Sequence, residues 1–171
     1  MLDHPALVTL EATPEILRGL MTVLNGEDAL WKPAPGRFSV AEVLEHLSHV
    51  EGHCFRLRID RSLERDQAAW EPYDPEEYIA KGQYSGRDPE ESFAHFEEQR
   101  HDNLRLLRAL EAAALARTGM HPRLGRITLA ELLSEWAFHD LGHIRQVAEL
   151  VRARKFYPAM GPFQPQYKVN P

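Results

Sequence analysis

The residues best suited to chemistry are His139 and His143, in the stretch Glu135-Trp136-Ala137-Phe138-His139-Asp140-Leu141-Gly142-His143-Ile144-Arg145-Gln146-Val147. Apolar residues at Leu132, Trp136, Ile144, Val147 and Leu150 recur at three- and four-residue steps, the period of one helix face. At roughly 100° per residue, the two imidazoles lie about 40° apart and one turn apart on that face. Burying them in an apolar stripe costs free energy unless their nitrogens find partners, and a divalent metal ion suits both. The bland alternative is a pair of core histidines hydrogen-bonded to neighbours, and this segment alone leaves both readings open.

His46 changes the balance. It falls inside an earlier apolar stripe, Val43, Leu44, Leu47, Val50, Cys54 and Leu57. His53 follows two turns on along nearly the same line, and His49 lies to one side. A lone histidine on a helix face is more often a satisfied core residue than a ligand. Three inward histidines from two helices point instead to the kind of metal site that helical bundles build in their cores. Three neutral imidazoles leave at least one coordination position open, the mark of a catalytic rather than a closed structural site. The expected ion is Zn2+ or Ni2+, with Fe2+ or Mn2+ as alternatives, because imidazole does not choose sharply among them. Such an ion acidifies a bound water and ionises a bound thiol. Each ligand should also give its other N–H to an acceptor, for which Glu135, Asp140, Glu42 and backbone carbonyls are the candidates.

Two further metal patterns fail on inspection. His139-Asp140-Leu141-Gly142-His143 resembles the zincin motif H-E-x-x-H, but aspartate replaces the glutamate base and nothing reads as the accompanying sheet. Glu98-Gln99-Arg100-His101 has the spacing of a di-iron ligand pair, yet Glu98 and His101 point away from the Phe96 side.

Four amphipathic helices must position these residues. Thr13-Pro14 predicts the start of the first, which carries Ile16, Leu17, Leu20 and Leu24 on one face and stops at Asn25-Gly26. Ser39-Val40-Ala41-Glu42 is a capping box opening the second, which is expected to run to about Leu63. Asp88-Pro89 opens the third, to about Leu115, with Phe93, Phe96, Arg100, Asn103, Leu107 and Leu110 facing inward. Arg100 and Asn103 interrupt that line halfway, either as a stem laid over the core or as the lining of a polar, substrate-binding pocket. Thr128-Leu129-Ala130-Glu131 is another capping box and opens the last helix, to about Arg154. The sequence thus reads as an all-α four-helix bundle forming a single domain over residues 1–171. Residues 67–88 form a long connector between the second and third helices, and 118–126 read as loop. The tail from Phe156 to Pro171 reads as irregular, but too apolar to hang free, so it should pack along the bundle or over the mouth of a site.

Composition narrows the partners. A hydrophobic content of 43% and charged content of 27% suit a globular protein, and a net charge of −6 argues against nucleic-acid binding. The cations Arg145, Arg152, Arg154 and Lys155 are read as complementing a helix C-terminus. No apolar run reaches the ~18 residues of a membrane span, and no signal segment is visible. The single cysteine, Cys54, suits a reducing cytoplasm and reads as a small core residue.

Two stretches resemble the DinB-like (DinB/YfiT) superfamily of metal-dependent enzymes. One runs from Trp31 through Pro35-Gly36 into Ser39-Val40-Ala41-Glu42-Val43-Leu44 and His46-Leu47; the other is Trp136-Ala137-Phe138-His139-Asp140-Leu141-Gly142-His143-Ile144-Arg145-Gln146. The long connector and the Gly161-Pro162 tail fit as well. The resemblance implies a bundle with a variant connection order, a three-histidine site at His46, His139 and His143, and often a homodimer. Relatives include thiol-dependent S-transferases and isomerases, and proposed hydrolases. The leading expectation is therefore a cytoplasmic S-transferase acting on a small-molecule substrate. The ion would ionise a low-molecular-weight thiol, with Arg100 anchoring a carboxylate on that thiol. A hydrolase using metal-bound hydroxide and a non-catalytic, metal-stabilised bundle are the alternatives.

Overall fold

Local capping chemistry sets where the main helices begin. The computed structural model describes residues 2–171. Its helices are α1 (Ala6–Met21), α2 (Gly26–Leu30), α3 (Val40–Val50), α4 (Leu57–Glu64), α5 (Pro75–Ala80), α6 (Pro89–Ala109) and α7 (Leu129–Val151). Ser39 and Glu42 cap α3 reciprocally, as Thr128 and Glu131 cap α7. The Asp88 carboxylate accepts from the first free amides of α6. A π-helical turn, Glu51–Arg56, joins α3 to α4, so the two form one long run. The bundle is built of α1, α3–α4, α6 and α7, with α1 packed on α7 and α3 on α6.

Two apolar clusters form the core. Leu10, Phe55, Ile59, Leu133 and Trp136 belong to one; Leu17, Leu44, Leu47, Phe93, Phe96 and Val147 belong to the other. Between them along the helices lie the buried polar residues Glu51, Arg100, Asn103 and Asp140. That polar layer sits beside the candidate site.

The all-α expectation needs amending. Residues 118–126, read as loop, form most of a hairpin of β2 (Thr118–His121) and β3 (Gly125–Thr128), with β1 (Ala68–Ala69) parallel to β2. These strands are too short to show alternation; tertiary bonds hold them. Asp66 accepts from both the amide and the hydroxyl of Thr118, and Gln67 N donates to Thr118 O. Gly119 passes so close to Trp70 that a Cβ there would lie 2.0 Å from the indole.

Other boundaries also move. The first helix starts at Ala6 and carries Pro14 inside it, rather than starting there. An interior proline costs about 3 kcal/mol; full burial of Leu10 alone recovers about 1.5–3 kcal/mol. Asn25 is not a stop but the cap of α2. The third helix ends at Ala109, followed by a 3-10 turn at Ala112–Ala116. The π turn inserts an extra residue into the second helix, so Phe55 and Ile59 fill the core where the regular period predicted Leu57, and His53 emerges exposed. Gly52, within that turn, lets the end of the Gln99 side chain approach: a Cβ would meet Gln99 Oε1 at 2.3 Å and push that amide aside. The tail forms 3-10 turns at Tyr157–Ala159 and Gly161–Gln166, but Phe156, Phe163 and Tyr167 are more than half exposed, so it does not bury its apolar groups as expected. Arg154 and Lys155 do more than complement a helix end: both grip Asp28, at 2.9 and 2.7 Å. Among the described residues no helix is long and apolar enough to cross a membrane.

Candidate metal centre

The capping box of α3 places His46 two turns into that helix, facing α7. His139 and His143 come from successive turns of α7. Their Nε2 atoms converge, with His139 Nε2 lying 3.2 Å from both His46 Nε2 and His143 Nε2. One atom from each residue lies within 4.8 Å of the others. A tetrahedral ion at 2.0–2.1 Å from its nitrogens holds them roughly 3.3–3.4 Å apart, so the two 3.2 Å separations suit a single such ion, on which His46 and His143 would close. Hydrogen bonding alone does not satisfy this cluster: His139 Nε2 carries either one hydrogen or one lone pair and cannot serve both nitrogens it faces.

The electrostatics match the geometry. Burial, followed by the charges of His143 and His49, pushes the His46 pKa down to about 3. Burial, followed by His143, His46 and Arg100, pushes His139 down to about 2. Burial also lowers His143, against the opposing hydrogen bond that its Nδ1 can donate to Gln146 Oε1. All three are neutral at pH 7, the form that ligates metal.

Two of the three outer ring nitrogens find partners, and these differ from the ones expected. His46 Nδ1 meets Tyr84 Oη at 3.4 Å, and His143 Nδ1 meets Gln146 Oε1 at 2.9 Å. Glu42 is taken up by Ser39, Ser85 and Lys32. Asp140, adjacent to His139 in sequence, turns away to Arg100.

Arg100 and Asn103 do not line a substrate pocket. They are 1% and 2% exposed. Arg100 donates to both oxygens of Glu51, both oxygens of Asp140 and the carbonyl of Leu10, using every N–H it has. Asn103 donates to Glu51, which also accepts from Trp136 Nε1. Burial alone would lower the Arg100 pKa, but Glu51 and Asp140 outweigh it and hold the charge in place. The pair thus belongs to a buried ion network locking α6, α7 and the π turn together.

The pocket that opens on the histidines has a volume of about 470 Å³ and is lined by Phe38, Val50, Cys54, Phe55, Arg58, Tyr73, Glu135 and Gln146, among others. Burial lifts the Glu135 carboxyl above the usual range against the opposing charge of Arg58. Burial likewise pushes the Cys54 thiol up to about 11, so it stays protonated. Sequence reasoning missed Arg58, Tyr73 and Tyr84, and weighed Glu135 only as a partner of a ligand. The signal for Glu135 was available, since Glu135, His139 and His143 fall at i, i+4 and i+8 on one line of α7. Glu98 and His101 are exposed, as their phase predicted.

The DinB superfamily model matches residues 9–147, most of the chain and all three histidines. The chain belongs to the DinB superfamily. A similar solved structure is YfiT from Bacillus subtilis, described as a probable metal-dependent hydrolase with an unusual four-helix bundle topology. This DinB-superfamily chain matches it with 26% identity and a TM-score of 0.78, covering 86% of this chain and 85% of that one. No curated protein sequence matches the chain.

Proposed function

We propose that this protein is a metal-dependent hydrolase acting on a small molecule. His46, His139 and His143 hold the ion. The observation that carries the reading is the spacing of the three Nε2 atoms at the foot of an open pocket. When bound, a divalent ion supplies Lewis acidity: it lowers the pKa of a water and polarises a carbonyl or phosphoryl oxygen. The chain's own groups do the rest. Glu135, with its raised pKa, takes a proton from the attacking water and returns it to the leaving group. Arg58 orients an anionic group of the substrate, the role expected of Arg100. Phe38, Val50 and Phe55 give the pocket apolar walls that select an apolar substrate body. The description of YfiT as a probable metal-dependent hydrolase supports the same reaction class.

Thiol transfer remains the second reading, because Arg58 can anchor a carboxylated thiol in the same pocket. One experiment separates the two. Metal content is measured on the purified protein, followed by turnover of a panel of activated esters and amides. The same preparation is then assayed for conjugation of glutathione or bacillithiol to a model electrophile, each with and without chelator. Chelator-sensitive hydrolysis without thiol supports the first reading; turnover only with thiol replaces it with the second. Bound metal with neither activity leaves the ion as a structural element of the bundle.

A further inference from the structure

Two tyrosines of the long connector link a ligand imidazole to the pocket. Tyr84 is buried, packs edge-on against His46 at 5.4 Å and against Phe38 at 6.1 Å, and places its hydroxyl at His46 Nδ1. Its oxygen lies 3.0 Å from that of Tyr73, and the Tyr73 side chain lines the pocket with the three histidines. A hydroxyl has one hydrogen to give and can also accept, so the line can point either way. An ion on His46 Nε2 removes that freedom. The ring proton must then sit on Nδ1, which can only donate, and Tyr84 Oη must accept it. The hydrogen of Tyr84 turns to Tyr73, and the hydrogen of Tyr73 is left for the pocket.

We propose that occupation of the three-histidine site orients this relay, so that Tyr73 presents its O–H to an oxygen of the substrate. This rests on the metal reading above. Tyr84 is a positioning residue for His46; Tyr73 is a catalytic residue that donates to the oxygen on which negative charge develops. Burial holds the Tyr73 hydroxyl well above the ordinary tyrosine range, so it stays protonated throughout the working pH. The substrate class is accordingly one with a carbonyl or phosphoryl oxygen at the reacting centre. A thioether or an alkyl halide would leave this donor unpaired.

The test uses Co2+ as the ion and acetohydroxamate as an oxygen-bearing pocket probe, both followed by visible spectra of the full chain. Tyr84→Phe and Tyr73→Phe keep both rings, and their ion-free melting temperatures should match wild type. Tyr84→Phe should weaken Co2+ binding about 10–100-fold, the usual loss when the outer partner of a ligand histidine is removed. Tyr73→Phe should bind Co2+ within about twofold of wild type but acetohydroxamate about tenfold more weakly. Unchanged Co2+ affinity in Tyr84→Phe overturns the oriented relay, and unchanged acetohydroxamate affinity in Tyr73→Phe overturns the donor role. A wild-type chain that takes up no Co2+ overturns the metal reading itself, a result distinct from both.

Discussion

At the scale of single residues, protons decide how the site behaves without its ion. His46 and His139 have pKa values lowered to about 3 and about 2, chiefly by burial, whereas an unfolded chain titrates near 6.5. Below pH 6.5 the unfolded chain takes up protons that the folded one refuses. Stability of the chelated protein should therefore be fully present above pH 6.5. It should fall as the pH drops toward 3, by roughly 1.4 kcal/mol per pH unit for each imidazole kept neutral. Thermal unfolding in chelator across that range measures it, and a flat profile would contradict the neutral assignment. Glu135 makes a separate prediction. Glu135→Gln should leave bound metal at the wild-type level while turnover falls about 10²–10⁴-fold, as expected for loss of a general acid–base group. Equal activity in the variant would remove Glu135 from the mechanism.

The elements depend on interactions of different reach. Arg100→Leu strands the carboxylates of Glu51 and Asp140 in the interior and should cost about 3–5 kcal/mol, read from denaturant unfolding. Arg100→Lys should not restore it, because three donors on a point charge cannot replace a five-donor fork. What was legible in the sequence divides along the same line. The caps at Ser39, Asp88 and Thr128 are contacts within a few residues, so the starts of three main helices were readable directly. The three histidines were readable because helical phase alone placed them inward. The hairpin at Thr118–Thr128 was not: its strands are too short to show alternation, and the contact that anchors Thr118 comes from Asp66, more than fifty residues earlier. Arg100 was misassigned for the same reason: phase correctly turned it inward, but only the fold brings it to Glu51 and Asp140. Tyr73 and Tyr84 lie in a connector with no period, so nothing local revealed that they cover the site.

On the scale of the whole molecule, the outer face of α7 is unexpectedly apolar for a surface so close to the site. Phe138 is 79% exposed and Leu141 53% exposed. The homodimer implied by the family resemblance would find its apolar centre there. Sedimentation should then give a dimer, and Phe138→Asp a monomer that still binds metal; a monomeric wild type would reject the contact. Metal removal should act globally as well, because an ion held by His46, His139 and His143 would tie α3 to α7. Tm should rise with added ion by an amount that grows with its concentration and reverses with chelator.

The π turn at Glu51–Arg56 has an outcome for any shortened version of the chain. Excising Gly52 would remove the residue that the turn absorbs and let Val40–Glu64 wind as one regular α-helix, with everything downstream keeping its face. His46, upstream, would stay in place, Arg58 would stay on the pocket wall and Phe55 would keep its place in the core. Such a deletant should bind ions and anionic molecules as the full chain does: a single-codon loss to which the pocket is indifferent.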